Sequence, residues 1–206
     1  MTAILDLLGG TRIMPVLTIS EIGFAAPLAR ALQRGGLRGI EVTLRTPAAL
    51  AAITAMREAA PELIVGAGTI RTQADVAAAI AAGAHFLVSP GSTSNLRAAM
   101  ASASVPCLPG MSTASEAMVL AEAGVASMKF FPAEQAGGMA ALKSMAGPLP
   151  ELRFCPTGGI TVESAPTYLA LPNVFCVGGS WIASDAAIQA QDWAGIEARA
   201  RQAASL

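Results

Sequence analysis

The chain has 206 residues, enough for one domain with a sizeable core; 53% are apolar and only 13% charged, which excludes disorder and leaves apolar surface to be packed or shared with another subunit. Thirteen basic against fourteen acidic residues give a net charge of -1 with no block of like charge, so the chain carries no electrostatic footprint for nucleic acid or an anionic membrane. The most apolar stretch, 76–84, falls far short of the roughly 20 residues of a bilayer span, and the first ten residues lack the positive flank and cleavage site of an export signal.

Taken in chain order, eight short apolar runs rich in β-branched residues begin at Met14, Gly39, Leu63, His85, Pro106, Ser127, Arg153 and Val174, spaced by 21 to 26 residues. Each is followed by Gly, Pro or Thr and then by an Ala-rich stretch. Helical periodicity and end signals predict helices over 24–34, 47–59, 73–82, 94–101, 114–122 and 163–171, with Gly35-Gly36, Gly83 and Gly124 as C-terminal caps. One helix per gap makes each unit a β-α-β crossover and the sheet parallel. Eight units predict a single α/β domain over residues 1–206, a (β/α)8 barrel of the TIM type; an open doubly wound sheet would satisfy the same periodicity.

Barrel chemistry sits at the C-terminal ends of the strands. Lys129, one of only two lysines in the chain, interrupts the otherwise strand-like Ser-Met-Lys-Phe-Phe-Pro. Withdrawal from water disfavours an ammonium and leaves a nucleophile toward a carbonyl carbon. Glu41 lies in Gly-Ile-Glu-Val-Thr-Leu-Arg, with Thr43 and Arg45 at alternate positions on its face while the strand stays regular. A carboxylate beside an iminium-forming amine serves proton shuttling, and an arginine at a strand end can hold a substrate carboxylate. An ion pair of Glu41 with Lys129 or Arg45 serving only the fold would use the same residues.

Thr157-Gly158-Gly159 and Gly178-Gly179-Ser180 follow the seventh and eighth runs, where barrels commonly bind phosphate through close-approaching backbone N–H groups. Ser180 is placed to cap the next helix and donate to the same anion. Thr69 and Pro90 complete the rim, while His85 starts its strand at the opposite end and reads as structural. Trp181 and Trp193 read as core or subunit contacts. Cys107, Cys155 and Cys176, odd in number and set in apolar runs, suit small buried hydrophobes in a reducing cytoplasm, and a single histidine argues against zinc.

Together, Glu-Val-Thr-Leu-Arg-Thr at 41–46, Val-Gly-Ala-Gly-Thr at 65–69, Ser-Pro-Gly at 89–91, Pro-Gly-Met-Ser-Thr at 109–113, Lys-Phe-Phe-Pro-Ala-Glu at 129–134, Arg-Phe-Cys-Pro-Thr-Gly-Gly-Ile at 153–160 and Gly-Gly-Ser-Trp at 178–181 resemble the 2-keto-3-deoxy-6-phosphogluconate (KDPG) and 4-hydroxy-2-oxoglutarate aldolases. The resemblance implies a cytoplasmic, homotrimeric class I aldolase of the Entner-Doudoroff pathway. It would need no cofactor or metal and would release pyruvate and glyceraldehyde 3-phosphate from a phosphorylated 2-keto-3-deoxy sugar acid. It further implies Lys129 as Schiff-base lysine, Glu41 as proton shuttle, Arg45 and Thr69 as holders of the pyruvate carboxylate, and Pro90 on the substrate rim. Gly158, Gly159, Gly179 and Ser180 would hold the phosphate, and Thr157 would influence which C4 epimer is accepted. Other phosphate-binding barrels using Glu41 and Lys129 as acid and base, or a non-catalytic sugar-phosphate sensor, would share these residues.

Overall fold

The computed structural model describes residues 4–206. The first three residues of the segment read as lacking an export signal lie outside that range; Ile4–Leu8 form helix α1. In chain order there follow β1 (Ile13–Leu17), a short 3-10 turn (Ile22–Phe24), α2 (Ala25–Arg34), β2 (Gly39–Thr43), α3 (Ala49–Ala59), β3 (Ile64–Gly68), α4 (Gln73–Ala81), β4 (Phe86–Val88) and α5 (Ser94–Ala101). Then come β5 (Cys107–Leu108), β6 (Gly110–Met111), α6 (Ala114–Glu122), β7 (Ser127–Phe130), α7 (Gly138–Ala146), β8 (Arg153–Pro156), α8 (Ala165–Leu169), β9 (Val177–Gly179), α9 (Asp185–Gln189) and α10 (Trp193–Ala204). Every ladder between named strands is parallel.

Nine strands make eight barrel staves. Pro109 has no N–H to give to a ladder, so it splits the fifth stave into β5 and β6. Its carbonyl still accepts from Lys129 N–H at 2.9 Å. Ladders run β5-β4-β3-β2-β1-β9 on one side of the break and β6-β7-β8 on the other. Bridges from Phe154 to Val174 and from Thr157 to Gly178 join β8 to the last stave and close the ring. These bridges differ in offset by one residue, and that irregularity delays the regular eighth strand, expected from Val174, until Val177. The open-sheet alternative is thereby excluded.

Two apolar layers result. Outward-facing Ile40, Val42, Val65, Ala67, Met128 and Phe130 meet the helices in the larger core, while Met14, Phe86, Val88, Leu108, Cys155 and Cys176 fill the barrel's lower interior. Ile4 and Leu8 of α1 close that interior from below. Gly66 faces inward because a methyl group there would overlap the Phe86 ring, so a small residue on one stave accommodates a large one on the next. Gly36, Gly83 and Gly124 end their helices with φ of 87°, 86° and 79°, the left-handed caps that the sequence indicates. The helix expected over 163–171 is shorter, and α1, α7, α9 and α10 are not among the helices predicted above, although Ser184 and Asp192 cap the last two.

All three cysteines are free, with Cys155 and Cys176 buried and Cys107 half-buried. Burial pushes the Cys107 thiol up to about 12, and its hydrogen bond with Cys155 together with burial drives Cys176 well above the usual thiol range. The rings of Trp193 and Phe24 lie 6.2 Å apart in a tilted contact. Among the described residues no helix is long and apolar enough to cross a membrane.

His85 sits just before β4 at the lower end, where its Nδ1 accepts the Val65 N–H at 3.0 Å. Burial, and then the nearby Arg57 guanidinium, hold the imidazole below its ordinary value of 6.5. The unfolded ring takes up a proton near that value and the folded ring resists it. Stability is therefore complete above about pH 6.5 and declines as pH falls toward the lowered folded value. We expect the melting temperature to drop between about pH 7.5 and about pH 5, with a smaller drop in His85→Asn, whose Oδ1 can accept the same bond. Equal drops in the two proteins would remove His85 as the source.

Candidate active site

At the upper end of the barrel, alternation along β2 and β7 turns Glu41 and Lys129 into the interior while their neighbours face the helices. Both are almost wholly buried, at 2% and 4% exposure. The Lys129 ammonium donates to Oε1 and Oε2 of Glu41 at 3.0 and 3.1 Å and lies 5.5 Å from the Phe131 ring centroid. Lys143, the other lysine, is exposed on α7. A methyl group at Gly68 would overlap the Glu41 carboxylate, so β3 leaves room for the acid's head.

Above this pair opens a cleft of about 480 Å³ lined by Arg45, Phe131, Thr157, Gly158, Gly159, Gly179 and Ser180 among others. Arg45 Nε donates to Thr69 Oγ1 at 3.2 Å. Thr69 has φ of 60°, a left-handed conformation that is costly for a β-branched residue and holds only where its surroundings enforce it. The Ile70 N–H bonded to the Val88 carbonyl at 3.1 Å and the Arg45 contact fix it from both sides.

Arg45 does not continue the β2 strand. The ladder ends at Thr43, and Arg45 N–H turns back to the Thr43 carbonyl at 2.8 Å, which still brings the guanidinium to the cleft. Thr43 itself points its hydroxyl at the Leu17 carbonyl, 2.9 Å away, so it ties β2 to β1 instead of forming a row with Glu41 and Arg45. Thr157 is buried, and Gly178 is without a side chain where a methyl group would overlap the Thr157 hydroxyl.

Gly158 and Gly159 have φ of 106° and 79°, consecutive left-handed positions that make glycine necessary at the turn after β8. Ser180 is exposed on the rim, but the cap of α9 is Ser184, whose side chain accepts the Ala187 N–H. The expectation that Ser180 caps the next helix is thus corrected to a serine four residues further on. Pro90 lies beside the cleft without lining it; its carbonyl group and that of Ser89 press on Gly110, whose N–H is taken by the Ser89 hydroxyl at 3.1 Å. Trp181 stacks against Gly179 so closely that any side chain there would overlap its ring.

Sequence reasoning overlooks Val16, Thr18, Phe131, Ser184 and Asp185, which also line the cleft. Phe131 was legible, being two residues beyond Lys129 on the same face. Asp185 was not, since nothing in the sequence brings the start of α9 back over the barrel. A larger surface groove of about 600 Å³ runs between α4 and α5, but Gln73, Asn95, Ser102 and Ser104 are its only polar side chains and no ionisable group lines it. Among the described residues no group of three or more His, Cys, Asp or Glu stands together as metal ligands.

A closed (β/α)8 barrel with a buried amine-carboxylate pair and a polar cleft at the C-terminal ends of its strands defines a barrel enzyme with a potential nucleophile near its cleft. The sequence model of the KDPG and KHG aldolase family matches residues 4–199. The 2-dehydro-3-deoxy-phosphogluconate aldolase of Pseudoalteromonas atlantica is 48% identical over 191 residues, covering 93% of this chain and 89% of that protein. The KDPG aldolase of Legionella pneumophila, solved with pyruvate captured at low pH as a covalent carbinolamine intermediate, superposes with a TM-score of 0.92 at 41% identity over 95% of each chain. That of Zymomonas mobilis ZM4 with 3-phosphoglycerate gives a TM-score of 0.91 at 45% identity, over 97% of this chain and 94% of its own. The chain belongs to the KDPG and KHG aldolase family, and is a carbon-carbon lyase.

Gly68→Ala tests whether the carboxylate depends on the space that β3 leaves. The added methyl group must displace Glu41 or move a stave, so we expect a stability loss of about 1–3 kcal/mol in urea unfolding and a loss of about tenfold or more in kcat/KM. A variant as stable and as active as the parent would show that Glu41 has room to spare.

Proposed function

We propose that the protein cleaves 2-keto-3-deoxy-6-phosphogluconate to pyruvate and glyceraldehyde 3-phosphate through a Schiff base on Lys129. The observation that carries this reading is the buried Lys129 Nζ, 3.0 Å from the Glu41 carboxylate, under a cleft edged by one arginine and two glycine turns. An ion pair serving the fold alone could be replaced by hydrocarbon of similar volume at little cost. Here it lies at the end of the barrel where the cleft opens, next to the cleft-lining Phe131 but not itself in the lining.

The chemistry follows from that contact. Glu41 takes a proton from the ammonium, and the freed amine adds to the C2 ketone; Glu41 returns that proton to the carbinolamine hydroxyl, which leaves as water and gives the iminium that acts as electron sink. Glu41 then removes the C4 hydroxyl proton, the C3–C4 electron pair moves into the enamine, and the aldehyde leaves. Return of a proton to C3 gives the pyruvate iminium, which water hydrolyses. Arg45, with Thr69 oriented beside it, holds the substrate carboxylate. Backbone N–H groups of the Gly158-Gly159 and Gly179-Ser180 turns hold the phosphate, far from the breaking bond, so that its binding energy positions the substrate. Thr157, between the amine and those turns, is placed to sense the C4 configuration. Cleavage of 4-hydroxy-2-oxoglutarate would use the same floor without the phosphate site.

Assembly as a homotrimer in the cytoplasm is part of the proposal. Its support is the low charge content and the exposure of Ile22 at 54% and Met118 at 51%, with Met118 and Val119 adjacent on α6. Sedimentation equilibrium should return three times the chain mass; a monomer would refute the assembly without touching the chemistry.

Borohydride reduction in the presence of pyruvate should leave a covalent adduct on the peptide containing Lys129. Lys129→Arg, which keeps the charge but cannot form the imine, should stay folded, take no adduct, and lose turnover by more than about a hundredfold. No adduct in the folded parent would favour acid-base chemistry by Glu41 and Lys129 without a covalent step.

A further inference from the structure

The connection between β7 and α7 carries a carboxylate that the proposed reaction does not use. Glu134 Oε1 accepts the hydroxyl of Tyr168, a fully buried side chain on α8. Burial and the carboxylate itself push the Tyr168 phenol well above its ordinary value, so the hydroxyl remains a donor throughout the working range. Among the described residues no basic side chain is paired with Glu134. Neither Glu134 nor Tyr168 lines the cleft.

Both residues instead brace the turn after β8. The Cγ and Cβ of Glu134 lie 2.7 and 2.8 Å from where a Gly159 Cβ would stand, so the acid's stem packs directly on that glycine. The N–H groups of Ala133 and Glu134 donate to the Thr157 and Gly158 carbonyls at 2.8 and 3.1 Å. Two adjacent glycines have wide conformational freedom of their own, and the turn therefore takes its shape from what packs on it. A carboxylate this close to an anion site opposes the anion unless it is turned away, and the Tyr168 hydroxyl draws it toward α8.

We propose that Glu134 and Tyr168 form a positioning bridge that holds the Gly158-Gly159 turn in its phosphate-accepting shape and thereby sets the preference for phosphorylated substrates. This rests on the phosphate reading given above. The bridge touches no reacting atom; it acts through the turn. Removing it relaxes phosphate recognition and leaves the Lys129–Glu41 floor intact.

The test compares 2-keto-3-deoxy-6-phosphogluconate with unphosphorylated 2-keto-3-deoxygluconate, alongside inhibition by inorganic phosphate. Tyr168→Phe removes one oxygen. It should raise KM for the phosphorylated substrate about fivefold or more and weaken phosphate inhibition in parallel, leaving kcat and the kcat/KM of the unphosphorylated substrate within about twofold. Glu134→Ala should do the same, whereas Glu134→Gln, which keeps an acceptor oxygen for Tyr168, should retain the parent's preference. Equal losses on both substrates, or an unchanged preference in Tyr168→Phe and Glu134→Ala alike, would overturn the proposal. If Tyr168→Phe does not fold, Glu134→Ala decides. A parent protein that shows no phosphate preference and no phosphate inhibition overturns the phosphate reading itself, and is recognised before any variant is measured.

Discussion

The ion pair between Lys129 and Glu41 is the constraint around which the rest of the barrel is arranged. Taking both charges out of water costs several kcal/mol for each ion, which their mutual attraction recovers only with good geometry. The partners are 88 residues apart in the chain and come from staves on opposite sides of the ring. Only closure of the barrel brings them together, so the site exists as a property of the whole fold. The neighbours conform to it: β3 omits a side chain at Gly68 to admit the carboxylate, and Phe131 turns its ring toward the ammonium.

That constraint divides the interior into two halves. Below the pair the barrel is dry, filled by Met14, Phe86, Val88, Leu108, Cys155 and Cys176 and sealed by α1. Above it the side chains become small or polar and the staves give way to glycine turns. Burial keeps the amine from bulk water, and the proposed chemistry needs a ketone to reach it from the cleft. A barrel packed uniformly would offer one of these conditions without the other. The structural and chemical readings of Lys129 that the sequence leaves open share this one geometry.

The sequence carries the fold well because each βα unit repeats the same local signals. Ser127, Arg153 and Gly39 start their strands where the apolar runs start, and the helices over 94–101 and 114–122 match their elements end for end. Where the reading slips, a tertiary cause is visible. Pro109 splits a stave that reads as one run. Val174 begins an apolar run, but its bridge to β8 is one residue out of step with that of Gly178. At Gly66, Gly68 and Gly178 a neighbouring stave's side chain occupies the space that a Cβ would take. Such complementarity between staves is invisible along a single chain. Lys129 and Glu41, by contrast, stand out without a structure, since a charged residue inside a strand-like apolar run calls for a partner wherever it lies.

On the proposed roles of Lys129 and the Gly158-Gly159 turn, the segment from Lys129 to Glu134 would let two distant ends of one substrate be read together. Hydrogen bonding between β7 and β8 does not stop where the strands end. It continues from Thr157 N–H to the Phe130 carbonyl at 2.9 Å, then from Ala133 N–H to the Thr157 carbonyl at 2.8 Å and Glu134 N–H to the Gly158 carbonyl at 3.1 Å. The stretch that presents the amine is therefore the one that braces the turn assigned to the phosphate. The separation between the amine and the turn proposed for the phosphate is set by a few covalent bonds, this extended ladder and the contact that Tyr168 of α8 makes with Glu134. A turn of two left-handed glycines is soft by itself; fastened to the strand that carries the amine, it becomes a fixed distance from the reacting carbon. Positioning to within a fraction of an ångström is what converts remote binding energy into rate, and on the proposed roles the ruler and the nucleophile are one piece of chain.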